Sequence, residues 1–323
     1  MMNQIHRYAL VVVGALAATG CATGRPSTPT PLPAAVALLP GPKPSAANEL
    51  RDAVGEYDTD AGIRFVVEDG GRLWLLDTAR ATGSRMPYVA GNSRLVRRNI
   101  GPQAGSNQLQ VVPTRPVAQI RAEALVASPP VEPPAARKPD LVELTSLDPT
   151  IKLEIRYATT NNFLGTKFYD EARAFMQRPA AEAVVRANQK LRTLGYGLLI
   201  HDAYRPWYVT KMFWDATPAD KHWLVANPAE GSKHNRGAAV DLTLFDLATG
   251  QPVEMPSTYD ESTGRAYADY PGGTSLQRWH RALLRNAMVA EGFVVNPSEW
   301  WHFDYGSWKD YPIGNVAFDR IGP

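Results

Sequence analysis

Residues 232–241 read SKHNRGAAVD and residues 299–302 read EWWH. Together they offer two imidazoles, His234 and His302, one carboxylate, Asp241, and a second carboxylate, Glu299, three positions before the second imidazole. Three N/O side chains with a fourth position left open suit a catalytic zinc ion, whereas a structural zinc is closed by four ligands, usually including Cys. The chain has no Cys to spare for such a closure, since Cys21 is its only one. His234 and Asp241 are seven residues apart with Gly237 between them. A loop residue followed by a tight glycine turn into a strand would carry both side chains to one face. His302 then has to come from a neighbouring strand. This is not the helical pair of an HExxH site. On spacing alone, joint ligation and three separately satisfied side chains are both open readings.

Glu299 is close enough to His302 to stand beside such an ion without ligating it. A carboxylate there can take a proton from metal-bound water and pass it to a leaving amine, and zinc lowers the pKa of its water to about 7. Arg205, within residues 202–206 (DAYRP), follows a strand-like stretch. It is a candidate for stabilising the oxyanion of a tetrahedral intermediate. The other histidines read as ordinary packing: His6, His222 and His280 at the surface or in a core, His201 at the end of a buried strand. Asp202 has two readings, orienting Arg205 or capping a turn. Trp300 and Trp301 read as core or pocket walls.

These residues need a domain to hold them. Residues 140–323 alternate strand and helix signals, carry most of the aromatic residues and are long enough to bury a core. Ala183, Val184, Ala187 and Leu191 share one face of a helix that Pro179 opens and Gly195 stops. Residues 196–200 and 238–245 read as strands, the second carrying Asp241. Thr274 and Gln277 form a capping-box pattern for a helix running to Glu291 and ending at Gly292. Residues 293–295 and 301–305 would complete a sheet. The fold class expected is α+β, a central antiparallel sheet flanked by helices.

The rest of the chain divides by composition. Arg7 precedes an apolar stretch, residues 9–18, too short to span a bilayer, and this leads to Cys21. Residues 1–21 are therefore expected to be an export signal. Two outcomes stand: Cys21 is lipidated and anchors a periplasmic lipoprotein to the membrane, or simple cleavage leaves a soluble periplasmic form. Residues 22–47 are rich in Pro, Ala, Ser and Thr and read as an extended tether. Residues 48–112 read as a small β-rich module. Its clearest signal is a hairpin of residues 63–67 and 72–76 about the turn EDGG, with further short strands at 95–96 and 109–112. A spacer or a cell-wall docking role fits it. Residues 113–139, again proline-rich, read as a second linker. With 34 basic and 32 acidic side chains the net charge is +2 and mixed along the chain. No clustered basic face suggests a nucleic-acid partner.

The two motifs, Ser-x-His-x-x-Gly-x-Ala-x-Asp from Ser232 to Asp241 and the Glu299 to His302 run, resemble the signatures of the zinc D-Ala-D-Ala peptidases, closest to the VanX-type D-alanyl-D-alanine dipeptidases of peptidase family M15. The resemblance extends over about residues 141–310 and includes RYATTNNF (156–163), DAYRP (202–206), DLTLF (241–245) and MPSTYD (255–260). Ala203 stands where this family often has Gly, and the stretch from Arg205 to Ser232 is shorter than in the resistance enzymes. The resemblance implies a hedgehog/DD-peptidase-like fold and one zinc ion held by His234, Asp241 and His302. It also implies Glu299 as catalytic base, Arg205 as transition-state stabiliser, and Asp260, Tyr157 and Ser232 as residues that hold the dipeptide, with Asp260 near its ammonium. The function expected is hydrolysis of D-Ala-D-Ala in cell-wall dipeptide turnover. Two rivals remain: a D,D- or L,D-carboxypeptidase acting on peptidoglycan stem peptides, and a non-catalytic cell-wall-binding lipoprotein.

Overall fold

The computed structural model describes residues 38–60, 62–76, 85–88, 95–98 and 109–322. All of them belong to the unit Pro33–Pro323. The expected export signal with Arg7, the lipidation candidate Cys21, His6 and the first part of the expected tether lie outside the described residues. Among the described residues no helix is long and apolar enough to cross a membrane.

Near the N-terminus, β1 (Gly55–Thr59), β2 (Gly62–Asp69), β3 (Arg72–Leu76), β4 (Arg85–Pro87) and β5 (Val96–Arg97) form an antiparallel sheet in the order β4-β3-β2-β1-β5. The EDGG hairpin forms as its sequence suggests. Gly70 and Gly71 both take positive φ, 60° and 73°, which a two-residue turn between twisted strands demands. Residues 109–112 add no strand. Instead Val111 donates its N–H to the Phe163 carbonyl (2.7 Å) and joins the main core.

The segment expected as a second linker is folded. It contains α1 (Val117–Val126), whose Ile120 and Ala124 are fully buried in the main core and which packs on a later helix. The four prolines at 129–134 mislead because they follow the helix rather than interrupt it. The end of the tether is also seated. Leu38 is buried, its carbonyl accepts from Asn286, and the Gly41 carbonyl accepts from the Trp279 indole.

The larger part contains β6 (Leu141–Glu143), the single turn α2 (Leu144–Leu147), β7 (Lys152–Leu153), β8 (Phe175–Gln177), α3 (Arg178–Arg192), β9 (Tyr196–Asp202), α4 (Trp207–Ala216), β10 (Ala239–Asp246), α5 (Ser275–Val289), β11 (Phe293–Asn296) and β12 (Glu299–Tyr305). Its main sheet runs β11-β12-β10-β9-β7, and β6 pairs with β8 separately. All main-sheet pairs are antiparallel except β7 with β9, which is parallel. The two residues of β7 were too few to be legible in the sequence. The class is α+β.

α3 takes the expected helix, packing on β9 and α5. α5 starts at the expected capping box, Thr274 receiving the Gln277 N–H while Gln277 receives that of Thr274. Val240, Leu242 and Leu244 are fully buried on one face of β10, so strand alternation turns Asp241 to the other.

The N-terminal sheet is clipped to this part. Glu68, only 1% exposed, accepts from the Ser275 N–H (2.9 Å) and hydroxyl (2.6 Å) at the start of α5, where a carboxylate is favoured. Tyr270 donates to Glu56 and sets its ring edge-on to Phe65, completing the small core of Phe65, Val67 and Leu76. The sheet therefore has no core wholly its own.

Candidate functional site

Strand register brings the chemistry together. Asp241 pairs directly with His302 of β12 and with Asp202 of β9, and directly paired residues project to the same face. His234 arrives from a 3-10 turn, His234–Arg236, stopped by Gly237 at φ 64°. A Cβ at Gly237 would lie 2.5 Å from a Leu141 methyl, so glycine is needed for both conformation and room. The Ser232 hydroxyl accepts from the His234 N–H (3.0 Å), and buried Asn235 ties the turn to the Arg205 carbonyl (2.7 Å) and the Thr210 hydroxyl (2.8 Å).

The ligand atoms of His234, Asp241 and His302 converge. His234 Nε2 is 3.2 Å from His302 Nδ1 and 3.5 Å from Asp241 Oδ1, and His302 Nδ1 is 3.0 Å from Asp241 Oδ1. Metal–ligand bonds of about 2.0 Å at tetrahedral angles require donors about 3.3 Å apart, so these atoms outline one face of a zinc tetrahedron. The far sides of the ligands are fixed. His234 Nδ1–H donates to the Ala203 carbonyl (2.7 Å), His302 Nε2–H to Asp304 (2.9 Å), and the Tyr259 hydroxyl to Asp241 Oδ2 (3.0 Å). With the outer nitrogens donating, His234 Nε2 and His302 Nδ1 would turn lone pairs to the common point once a metal ion takes the place of the proton shared by His302 Nδ1 and Asp241. The residues fit a zinc ion with an open position.

Electrostatics agree. Burial would lower His302, but its hydrogen bonds to Asp241 and Asp304 outweigh this and push it up to about 10. Burial would raise Asp241, yet the two imidazoles hold it well below the usual carboxylate range. Negative charge is in excess here, and a cation relieves it.

Glu299 opens β12, its carboxylate 3.8 Å from His302 Nδ1 and held by the Asn296 amide at 2.9 Å. Burial, and Asp241 nearby, push its proton affinity up against the pull of His302. Arg205 is buried and forked onto Asp202 (3.1 and 2.7 Å), with its guanidinium against the Phe213 and Tyr157 rings at 4.8 and 5.3 Å. Of the two roles read for it, Asp202 takes that of orienting Arg205, and its other oxygen accepts from the Ala203 N–H and from Tyr169.

Asp260 is the one non-glycine residue with positive φ (57°) among the described residues. Such backbone is costly and collects at functional sites. Tyr157 donates to its carboxylate at 3.2 Å. Burial, then the charges of Asp241 and Glu299, push Asp260 up to about 8. Tyr157, Asp260, Glu299 and Trp301 line one cleft of about 340 Å³, with Trp223 and Leu224 at its rim. That is near the lower end of ordinary ligand pockets, about 300–1,000 Å³, and suits a small substrate.

Of the histidines read as packing residues, those among the described residues sit as such. His201 is buried against Tyr259 and held down to about 4 by burial and Arg156. His280 meets the Glu254 carbonyl, and His222 stacks on Trp214. Trp300 and Trp301 are both buried, Trp300 donating to Ser257. Sequence reasoning missed Asp304, Tyr259 and Asn296, the residues that hold His302, Asp241 and Glu299. Asp304 had a signal, since it follows His302 by two and so shares its strand face. Asn296 had none, because it meets Glu299 through an irregularity in the β11–β12 register.

The sequence profile of the D-Ala-D-Ala dipeptidases of peptidase family M15 matches residues 137–315. A D-alanyl-D-alanine dipeptidase of Escherichia coli K12 is 34% identical over 174 residues, covering 54% of this chain and 89% of that protein. The same-named proteins of Enterococcus faecium and Streptomyces coelicolor are each 32% identical over 187 residues, covering 52% of this chain and 91% of theirs. Residues before 137 lie outside the profile match. With the site assembled on the matched segment, the chain belongs to the D-Ala-D-Ala dipeptidase family of M15 metallopeptidases.

Proposed function

We propose that this chain hydrolyses D-Ala-D-Ala to two D-alanines in a zinc-dependent reaction. The observation that carries this reading is the triangle of His234, Asp241 and His302 donor atoms with Glu299 3.8 Å from His302 Nδ1, since Glu299 also lines the small cleft that Asp260 shares. His234, Asp241 and His302 hold the ion. Zinc bound there supplies Lewis-acid polarisation of the peptide carbonyl and water made nucleophilic near neutral pH. Glu299 accepts the proton of the attacking water on its carboxylate and returns it to the leaving amine. Arg205, kept in place by Asp202, meets the negative charge that develops on the carbonyl oxygen. Asp260, with Tyr157 on its carboxylate, receives the substrate ammonium, and Ser232 contributes to dipeptide binding from the His234 turn.

The ammonium contact makes the enzyme a dipeptidase rather than a carboxypeptidase. A carboxylate drawn towards its neutral form by burial regains its charge beside a cation, and a blocked amine forfeits that contact. Comparing free with N-acetylated D-Ala-D-Ala tests this. The free dipeptide should be cut and the acetylated one left largely intact, whereas equal turnover would transfer the assignment to a carboxypeptidase.

The hedgehog/DD-peptidase-like arrangement of the M15 relatives is our assignment for the matched segment. The export signal argues for a periplasmic enzyme, anchored through a lipidated Cys21, that recycles dipeptide released from the cell wall. Contact between the N-terminal sheet and the wall belongs to the same proposal. Radiolabelled palmitate incorporated into the chain but lost in Cys21→Ala would support the anchor, and label retained by that variant would contradict it.

A further inference from the structure

A second, larger space adjoins the cleft. It has a volume of about 1,210 Å³ and lies between the N-terminal sheet and the stretch 262–281. It shares a wall with the cleft, at Ser262, Thr263, Gly264, Tyr267 and Ser298. The reaction proposed above leaves this groove unused, since a dipeptide occupies the cleft alone.

The face of the sheet that forms the groove is patterned. Successive register pairs run Glu56, Phe65, Leu76, Arg85 across the strands, and Arg98 abuts Glu56 at the opposite edge. The row is apolar in the middle and has a guanidinium at each end. Ile63 (43% exposed) and, on the far wall, Tyr267 (54%) offer it apolar surface. Arg278 and Arg281 reach in from α5, so four arginines line the groove; Arg98 lies 3.9 Å from Glu56 and Arg278 3.8 Å from Asp69.

Arg281 is held by the Tyr267 and Tyr270 carbonyls, with no carboxylate in ion-pair range among the described residues. Burial and the charge of Arg278 push it down to about 10, as expected of a cation short of a counter-charge. Arg85 and Arg98 are paired with Asp69 and Asp58 at exposed positions. Such exposed pairs contribute little to stability, so a ligand carboxylate can compete for either arginine.

We propose that the groove docks an extended acidic peptide of about six residues, lying across the sheet with carboxylates near both ends. The length follows from four strand spacings of about 4.8 Å between the edge arginines, about 19 Å, which the five steps of about 3.3 Å in six extended residues match once a glutamate side chain reaches outward at each end. The apolar strip between the charged ends suits side chains. A nucleic acid would instead require phosphate contacts along the whole groove. The choice of a peptide rests on the dipeptidase reading of the adjoining cleft.

Calorimetric titration of the full chain with a blocked six-residue alanine peptide carrying glutamate at both ends tests the proposal, with the glutamine counterpart as control. The acidic peptide should bind about tenfold more tightly than its counterpart. Arg281→Gln and Ile63→Glu should each weaken it by about tenfold and leave turnover of D-Ala-D-Ala unchanged. Ile63→Glu disturbs no hydrogen bond made by Arg281, so it keeps the test valid if the other variant misfolds. Equal affinity for the two peptides, or wild-type binding by Ile63→Glu, would overturn the proposal. Calorimetry reads the groove whether or not the dipeptide is cut, so the two readings fail separately.

Discussion

At the scale of single residues, the site depends as much on what holds the reactive groups as on the groups themselves. Asn296 fixes the Glu299 carboxylate through its side-chain amide. Asn296→Ala should lower kcat about tenfold while KM and bound zinc stay within about twofold, because a proton shuttle loses efficiency when its carboxylate wanders. Steady-state kinetics with metal analysis checks this, and a loss of zinc would recast Asn296 as a structural residue. Asp304 holds the outer nitrogen of His302 and is itself paired with Lys233. Asp304→Ala should weaken zinc binding about 10–100-fold, measured by competition with a chromophoric chelator. Unchanged affinity would mean that strand register alone orients the imidazole.

At the scale of elements, what was legible in the sequence was local. The EDGG hairpin, the Thr274 capping box and the face of α3 are set by residues within a few positions of each other, and each formed as read. The grouping of His234, Asp241 and His302 was only half legible: their types suggested it, spacing left it one of two open readings, and strand register is what brings the three together. What was not legible depends on distant partners: β7 pairs in parallel with β9, and α1 is stabilised by the burial of Ile120 and Ala124 rather than by a periodic pattern of its own. The composition of the segment around α1 therefore pointed to a linker. Gly237 is the element-level hinge of the site, joining the His234 turn to β10. Gly237→Ala should cost about 2–4 kcal/mol, from left-handed backbone plus the clash with Leu141. Urea unfolding checks it, and a cost below about 1 kcal/mol would show that the turn relaxes freely.

At the scale of the whole molecule, stability and activity should depend on pH through different groups. His201 is held neutral by burial with its pKa down to about 4. Between that value and about 6.5 the unfolded chain binds a proton that the folded chain refuses. Stability from this group is therefore complete above about 6.5 and falls as pH drops through the window, by up to about 3 kcal/mol at its foot. His201→Gln should show a smaller drop in urea midpoint between pH 7 and pH 5 than the wild type, and an equal drop would remove His201 as the cause. The N-terminal sheet, clipped to α5 through Glu68, forms one wall of the groove that adjoins the cleft, a wall the family-matched segment does not itself contain. The proposed reaction nonetheless depends on one metal ion that His234, Asp241 and His302 would hold together. The most direct test is turnover of D-Ala-D-Ala by protein stripped with chelator, then returned to one equivalent of zinc, beside His302→Ala. Activity should vanish on stripping, return with zinc and stay absent in the variant, whereas undiminished turnover by metal-free protein would contradict the account.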